Sequence, residues 1–387
     1  MRTLKFKRAV AMKKLVLTGG PCSGKSTAIS FLREKLSEQG FEVICVPEVA
    51  TIVIGAGVSP AHLSLEDILI FQEKILKTQI HLENMFADFL KMRGNDDEKR
   101  VLICDRGCMD VKAYVSSKQL RIIFKNNDWD KTSLRDQRYD AVFHLITAAE
   151  GKEEFYTLEN NAARSETPEQ ARKLDLKIRK AWLGHPHLRV VDNSTDFDGK
   201  LKRLLRSVQQ SLGIPVSLEI ERKFLLAPWF LQKNIPVPYQ EIIIEQCYLE
   251  KRGDGMTRRI RKRWQKHSDS VFYLTEKRST GNARVRVETE KHITAKQYQA
   301  LKQEADQTRD IIGKQRLCFL WKNQYFELDV FLEPEKLRGL SVLEIELTEE
   351  NDKVELPDFL KIQREITEDE SFSNSSLARK DYDFKSA

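Results

Sequence analysis

The sequence of 387 residues is long enough for two or three domains. Hydrophobic residues make up 41% of it and charged residues 32%, which excludes disordered, collagen-like and mucin-like chains. No apolar run approaches the about 20 residues that a membrane-spanning helix requires, so we expect a soluble protein. The net charge of +7 fits phosphate-bearing ligands, acidic membrane surfaces or simple solubility.

The six cysteines and seven histidines show no regular spacing and no C-x-x-C pair. They predict neither a disulfide framework nor a zinc site, and they suit a reducing, cytoplasmic compartment. Residues 1–12 form a basic extension, and the first acidic residue of the chain is Glu34. Such a start is typical of a transit peptide, a lipid-touching arm or a solvated extension, and we favour the last.

Residues 13–212 alternate short apolar runs with long helical patterns. This alternation predicts an α/β domain, with a parallel sheet and helices on both of its faces. The strands are predicted at 14–18, 41–46, 100–105, 141–146 and 188–192. The helices are predicted at 26–38, 64–91, 166–183 and 197–212.

Residues 213–387 follow a different pattern, which begins after Gly213 and Pro215 end the last helix. Most of this region has apolar residues at every second position, which predicts an α+β domain with an antiparallel sheet or barrel. One helix is predicted at 294–304. The strands are predicted at 218–226, 241–251, 256–264, 271–278, 283–292, 315–321, 324–331 and 342–348.

A phosphate-binding loop follows the first predicted strand and precedes a helix, in the pattern G-x-x-x-x-G-K-[ST]. Its glycines let backbone N–H groups turn inward, the helix N-terminus adds positive potential, and Lys25 adds a full charge. The Ser26 hydroxyl can bind Mg²⁺, and Thr27 can touch the α-phosphate. The predicted nucleotide-binding residues are Gly19, Gly20, Pro21, Cys22, Ser23, Gly24, Lys25, Ser26 and Thr27.

A second magnesium ligand is predicted at the end of the buried strand 101–105. In P-loop proteins an acid at such a strand end holds Mg²⁺ directly or through water, and Asp105 occupies that position. The alternative is that Asp105 is an ordinary turn residue at the end of a strand.

Two further motifs carry a resemblance, P-E-V-A at 47–50 and D-R-G at 105–107. With the loop, they resemble the NadR-like, nucleoside-kinase-like branch of P-loop proteins, AAA-type ATPase family 28. The resemblance implies that Glu48 lies near an acceptor or an attacking water and that Arg106 grips a phosphate, so both are candidate catalytic residues. Members of that branch often have Glu-x-x-Arg at the first motif. Thr51 stands in the place of that arginine, which argues against a working kinase.

The helical stretch 164–179 carries Arg172, Lys173 and Arg179, and it is predicted either to close over the phosphates as a lid or to be a solvated basic face. Residues 192–194 follow the last strand, where such folds meet the base. The chain contains no Asn-Lys-x-Asp motif, so the choice between GTP and ATP stays open.

Charged side chains alternate with apolar ones along the strands after residue 217. Successive side chains of a strand point to opposite faces, so the charges share one face in six or more strands. If the apolar faces pack against helices, the charged faces line a wet lumen that suits a highly charged ligand. Bases suit phosphate oxygens, and glutamate pairs suit Mg²⁺ or Mn²⁺. The predicted anion-binding bases are Lys223, Arg259, Arg261, Arg263, Lys277, Arg286, Lys314 and Arg316. The predicted metal-binding acids are Glu219, Glu221, Glu288, Glu290, Asp329, Glu344 and Glu346.

The same strands carry E-x-E-x-K, R-x-R, T-x-K, R-x-E-x-E and L-E-I-E, and the segment 373–378 reads S-N-S-S-L-A. Over residues 217–380 the chain therefore resembles the CYTH superfamily, the triphosphate tunnel metalloenzymes. The resemblance implies that the glutamate pairs bind metals, that the bases hold a triphosphate, and that water attacks it.

Both motif sets in one chain resemble the TRPL translocation defect protein family. That resemblance implies a cytoplasmic protein, peripheral on membranes or vesicles, that binds GTP and phosphatidic acid or a phosphoinositide and assists the traffic of a channel protein. We expect no nucleic-acid partner. The alternatives are a Mg²⁺- or Mn²⁺-dependent triphosphatase acting through the second domain and a small-molecule kinase acting through the first.

Overall fold

The computed structural model describes residues 12–60, 63–92, 99–156, 167–214, 220–227, 235–250, 256–265, 269–279, 286–347 and 352–382. Apart from Met12, the basic extension lies outside these residues. The chain divides into two compact units, Met1–Leu205 and Arg206–Ala387. The domain boundary that the sequence places near residue 213 stays a prediction.

The first unit is built on a five-stranded sheet in which every pair of neighbours is parallel. The strands lie in the order β2-β3-β1-β4-β5. They are β1 (Lys13–Gly19), β2 (Phe41–Val46), β3 (Lys99–Asp105), β4 (Ala141–Leu145) and β5 (Leu188–Val191). Every residue of β4 is buried, as in a sheet covered by helices on both faces. The predicted α/β fold class is confirmed.

Seven α-helices within the described residues begin in the first unit, and the last of them ends beyond Leu205. They are α1 (Lys25–Glu38), α2 (Val49–Gly55), α3 (Leu65–Met92), α4 (Ser117–Asn126), α5 (Lys131–Arg135), α6 (Pro168–Ala181) and α7 (Phe197–Ser211). Three of them, α2, α4 and α5, were not predicted. α2 reads V-A-T-I-V-I-G, and β-branched residues weaken the helical signal. α4 and α5 are short and owe their first turns to side-chain caps from Ser116 and Asp130.

The strand order brings the carboxyl ends of β1 and β3 side by side. Because the chain leaves β1 toward β2 on one side and later crosses over β1 to β4, the strand order reverses beside β1. Open α/β sheets bind ligands in the crevice outside the carboxyl ends at such a switch point. β1 and β3 are hydrogen-bonded neighbours with Leu17 opposite Asp105, so the loop after Gly19 and the end of β3 adjoin.

The second unit holds a nine-stranded antiparallel sheet in the order β10-β9-β8-β7-β11-β12-β13-β6-β14. This confirms the antiparallel fold class and is consistent with a tunnel-type barrel. Parts of the predicted strands 218–226 and 283–292 lie outside the described residues. The strands are β6 (Ile220–Leu226), β7 (Tyr239–Tyr248), β8 (Thr257–Trp264), β9 (Val271–Ser279), β10 (Arg286–Ile293), β11 (Ile312–Trp321), β12 (Gln324–Glu333), β13 (Ser341–Leu347) and β14 (Ile362–Glu365). The helices are α8 (Ala295–Lys302) and α9 (Asn374–Leu377).

Apolar side chains of this sheet pack together on the face opposite the charges. Leu317 and Leu343 belong to one buried cluster, and they alternate along β11 and β13 with Arg316 and Glu344. Tyr298 of α8 belongs to another cluster with residues of β7 and β8. The described part of the chain contains no helix that is both long and apolar enough to cross a membrane.

Candidate functional site

The loop between β1 and α1 has the backbone geometry of a phosphate cradle. Gly24, directly before α1, is left-handed with a φ of 83°, a conformation in which a Cβ would be strained. A Cβ at this position would also lie only 2.5 Å from Cε2 of Phe197. The first turn of α1 carries no acidic residue, so its N–H groups and helix dipole remain suited to an anion.

The Lys25 ammonium group is folded back over the loop. Its Nζ donates to the carbonyls of Gly19 and Gly20 at 3.1 and 3.2 Å and to Ser23 Oγ at 3.4 Å. Burial, followed by the positive charge of Arg106, lowers the pKa of Lys25 to about 8. These long hydrogen bonds and the lowered pKa mean that a bound anion would stabilise the charged form of the lysine.

Asp105 lies beside this loop with one carboxylate oxygen unused. Its Oδ1 is buried without a hydrogen-bond partner. Burial raises the pKa of Asp105 to about 6, against the opposing charge of Lys25. Ser26 is exposed on the first turn of α1. A carboxylate oxygen and a hydroxyl next to a phosphate cradle are the ligands that Mg²⁺ uses with nucleotides, so Asp105 and Ser26 fit this metal.

Glu48 and Arg106 meet at the same edge of the sheet. Arg106 donates from Nε to Glu48 Oε1 and from Nη1 to the Gly19 carbonyl at 3.3 Å. Thr51 donates to Glu48 Oε2 at 2.8 Å. Burial alone would raise the pKa of Glu48, but the charges of Arg106 and Lys25 overcome it and lower this pKa to about 2. Glu48 is therefore ionised and a weak base near neutral pH.

An acid that the sequence analysis did not select holds the loop from outside. Asp175 on α6 is fully buried, and its Oδ1 accepts from the Gly20 N–H at 2.7 Å. The same carboxylate contacts His144 Nε2 and Arg179 Nε, each at 3.0 Å. Burial would raise the pKa of Asp175, but the charges of His144 and Arg179 contribute to lowering it to about 2. A lone acid on the buried face of a basic helix is the signal that could have identified it.

The three bases predicted as a lid have partners within the first unit. Arg172 donates to the Ala149 carbonyl at 2.7 Å. Lys173 pairs with Glu169 of its own helix at 2.6 Å. Arg179 binds Asp175 and also Glu150, the latter at 3.0 Å. The movement of this helix over phosphates stays a prediction.

In the second unit, β6, β13, β12 and β11 are neighbours and bring their charges into one chain of ion pairs. Lys223 lies 3.2 Å from Glu344, and Arg316 lies 2.8 Å from Glu344 and 2.6 Å from Asp329. Asp329 also pairs with Lys314, and both are almost completely buried. We call this group the acid-rich cluster; it also contains Glu221, 3.0 Å from Lys223, and Glu327, paired with Arg316.

A second group of charges lies on β8, β9 and β10, and we call it the arginine row. Arg261 lies 3.2 Å from Glu290, which also accepts from Thr275 Oγ1 at 3.0 Å. Arg259 and Arg263 occupy alternate positions of the same strand as Arg261.

Not all of the predicted tunnel residues can be placed. Glu219 lies outside the described residues, and the side chains of Lys277, Arg286 and Glu288 do as well. Glu346 is exposed and lies opposite Glu221 in the pairing of β13 with β6. Within the described ranges, no group of three or more His, Cys, Asp or Glu side chains could hold a metal ion. The metal role of the tunnel acids, two of which cannot be placed, stays a prediction.

The parallel sheet, the loop after β1 and Lys25 have the arrangement of a P-loop nucleotide-binding site. A family model described as an AAA domain matches residues 14–200. The chain is also similar to the solved structure of the inorganic triphosphatase NE1496, at 27% identity over 42% of this chain and 95% of the other, with a TM-score of 0.31. A structure described as the hypothetical protein NE1496 is 29% identical over 42% of this chain and 97% of its own, with a TM-score of 0.30. No curated protein matches the chain.

Proposed function

We propose that the chain is a Mg²⁺-dependent nucleoside triphosphate-binding protein whose second unit binds a polyanion. One observation carries the proposal. At the same edge of the sheet, Lys25 is weakly held by loop carbonyls and the Oδ1 atom of Asp105 has no hydrogen-bond partner. One side chain offers a cation to phosphate oxygens, and the other offers a ligand to the metal that accompanies them.

Binding in the loop follows from these contacts. The phosphates accept hydrogen bonds from the first turn of α1, and the Lys25 ammonium group exchanges the Gly19 and Gly20 carbonyls for phosphate oxygens. Asp105 and Ser26 would hold Mg²⁺, and the metal would supply charge neutralisation to the phosphates. Arg106, held by Glu48, presents its guanidinium group beside Gly19.

The Glu48 carboxylate favours a binding protein over a kinase. A general base is most effective when its pKa lies near the working pH, and the pKa of Glu48 is about 2. Thr51, in the place where related sequences often have an arginine, donates to Glu48 and adds no positive charge. We therefore keep a small-molecule kinase as the weaker reading of the first unit.

In the second unit, the charge balance suggests where an anion binds. The acid-rich cluster has three bases (Lys223, Lys314 and Arg316) against four acids (Glu221, Glu327, Asp329 and Glu344). Among the described side chains, the arginine row carries Arg259, Arg261 and Arg263 at alternate positions of β8, and Arg261 pairs with Glu290. A polyphosphate or a phosphate headgroup is thus expected to contact the arginine row, while the acid-rich cluster suits the metal side of a triphosphatase.

In its most specific form, the proposal states that the chain is a regulator that binds GTP in the loop and phosphatidic acid or a phosphoinositide in the second unit. Such a protein would act at the cytoplasmic surface of a membrane or vesicle in the traffic of a channel protein. The presence of both motif sets in one chain supports this form. A Mg²⁺- or Mn²⁺-dependent triphosphatase is the second candidate.

The test of the first site is calorimetry with GTP and ATP, with and without Mg²⁺, on the full chain. Lys25→Ala removes a charged hydrogen bond and should weaken binding by about 1.5–3 kcal/mol, or more than tenfold. Lys91→Ala is the matched control, because Lys91 at the end of α3 is 63% exposed and pairs with Asp88 of its own helix. Equal affinities of the unchanged protein and Lys25→Ala would refute the site.

The test of the second unit has three ligands: tripolyphosphate, vesicles with phosphatidic acid, and vesicles with a phosphoinositide. Arg261→Ala should weaken binding by about 1.5–3 kcal/mol, whereas Arg338→Ala, at a 62% exposed arginine paired with Glu335, should leave it unchanged. Release of phosphate from tripolyphosphate that Glu221→Gln abolishes would favour the triphosphatase. Vesicle binding without hydrolysis would favour the regulator.

A further inference from the structure

The first turn of α7 is fixed against the phosphate loop by a buried lysine. Lys200 donates to the carbonyls of Ile146 and Ser23 at 2.7 and 3.3 Å and to Asn193 Oδ1 at 2.7 Å. It is 4% exposed, and burial lowers its pKa to about 8. The lysine thereby ties the ends of β4 and β5 and the phosphate loop to one helix.

Phe197 lies one turn before Lys200 on α7, so the same contacts fix its position. Its ring edge covers Gly24 so closely that a Cβ on this glycine would approach Cε2 to 2.5 Å and Cζ to 2.9 Å. The ring is nevertheless 44% exposed. An aromatic ring with one side against the phosphate loop and much of its surface open is a place where a flat ligand can stack.

The polar side chains around this ring are already engaged. Asn193 Nδ2 donates to the carbonyls of Thr147 and Glu150, each at 2.8 Å, while its Oδ1 accepts from Lys200. Asp192 accepts from Ser194 and pairs with an arginine of α7. Asn193 therefore uses both ends of its amide group within the protein, and the exposed ring is the feature proposed for recognition.

We infer that Phe197 is the stacking platform for the nucleobase of the nucleotide in the loop, and that it makes the site select nucleotides over inorganic polyphosphates. This inference rests on the proposed binding of a nucleoside triphosphate. Phe197 lies against Gly24, within the loop proposed to hold the phosphates, so its exposed surface is within reach of a base attached to them. There the Phe197 ring stacks on the flat face of the base, and every nucleobase has such a π-face.

The test is a displacement experiment with a ribose-labelled fluorescent nucleotide, which reports on the loop and not on the second unit. Phe197→Ala should weaken binding of the labelled nucleotide about tenfold or more. The affinity for tripolyphosphate should stay the same, because tripolyphosphate has no base. This affinity is obtained from the concentration that displaces the labelled nucleotide, after correction for the lower affinity of the variant for that nucleotide. Phe197→Trp should restore nucleotide affinity, and nucleotide should quench its fluorescence while tripolyphosphate should not.

The matched control is Phe89→Ala, since Phe89 on α3 is also 44% exposed. It should change neither affinity. If Phe197→Ala weakens nucleotide and tripolyphosphate equally, Phe197 only supports the loop and the inference is wrong. If nucleotide affinity is unchanged in Phe197→Ala but lost in Lys25→Ala, the inference fails while the proposed function stands. Absence of nucleotide binding that depends on Lys25 in the unchanged protein would remove both.

Discussion

Nucleotide binding should depend on pH through Lys25 and Asp105, because their pKa values lie on either side of neutral. In the free protein the pKa of Lys25 is about 8 and that of Asp105 is about 6. Phosphate favours the protonated lysine, and Mg²⁺ favours the ionised carboxylate. Affinity in the presence of Mg²⁺ should therefore be highest between about pH 6 and pH 8.

The magnitude follows from the linkage of protons to binding. The pKa of Lys25 is lowered in the free protein and rises on binding, so its contribution is present below pH 8 and lost as pH rises above it. Each further pH unit costs about 1.4 kcal/mol, or tenfold in affinity, until the pKa of the bound state is reached. At pH 9.5 we expect binding about 30-fold weaker than at pH 7.5. Below pH 6, protonation of Asp105 should remove the advantage that Mg²⁺ gives.

The assay is calorimetry between pH 5 and 10 in pairs of buffers with different heats of ionisation, which gives the number of protons taken up on binding. Near pH 9 about one proton should enter the complex. Lys25→Ala should lose the alkaline dependence, and Asp105→Asn should lose the acidic dependence of the Mg²⁺ effect. The nucleotide's own phosphate titration is common to all three proteins. Constant affinity from pH 7.5 to 9.5, without proton uptake, would contradict the role given to Lys25.

Three other changes test the remaining contacts. Asp175→Asn removes a buried charge that Arg179 contacts, so the free energy of unfolding should fall by about 3–5 kcal/mol in a denaturant titration; an unchanged midpoint would contradict the role of this ion pair. Gly24→Ala places a Cβ at a left-handed residue against Phe197 and should abolish nucleotide binding while circular dichroism stays that of the folded protein. Full affinity in this variant would show that the loop accepts a Cβ at this position. Burial and a neighbouring carboxylate raise the pKa of Glu221 to about 7, so metal-free tripolyphosphate should bind the second unit more tightly at pH 6 than at pH 8. Glu221→Gln should remove this pH dependence. If the dependence persists in the variant, another group causes it.

The phosphate loop could be predicted from the sequence because its chemistry is local. Eight consecutive residues between a strand and a helix specify the backbone turn and the lysine. The place of Asp105 beside that loop depends on β3 pairing with β1 across some 85 intervening residues, which no local pattern specifies. The bond from Asp175 to Gly20 is of the same kind, since it joins residues 155 positions apart.

In the second unit, the alternation of side chains predicted the shared face of the charges but not their partners. The sequence analysis assigned Asp329 and Glu344 to a metal, which stays a prediction, and it did not foresee that both pair with Arg316. Those pairs arise because Arg316 and Asp329 are directly opposite in the pairing of β11 with β12. Glu327 was overlooked, although it lies two residues before Asp329 on the same face. Which charges neutralise one another depends on strand register, and register is a long-range property.

The two acids next to Lys25 show how one site can separate two roles. Glu48 is held ionised by Arg106, with a pKa of about 2, while burial leaves Asp105 with a pKa of about 6. Environments that push the pKa values of two carboxyl groups apart in this way usually assign the two groups different tasks. Asp105 is the better proton acceptor only while its oxygen is free, and holding Mg²⁺ would occupy that oxygen. With the metal bound, neither acid is a competent base. The two carboxyl groups therefore fit different tasks, a metal ligand at Asp105 and an anchor for the Arg106 guanidinium group at Glu48.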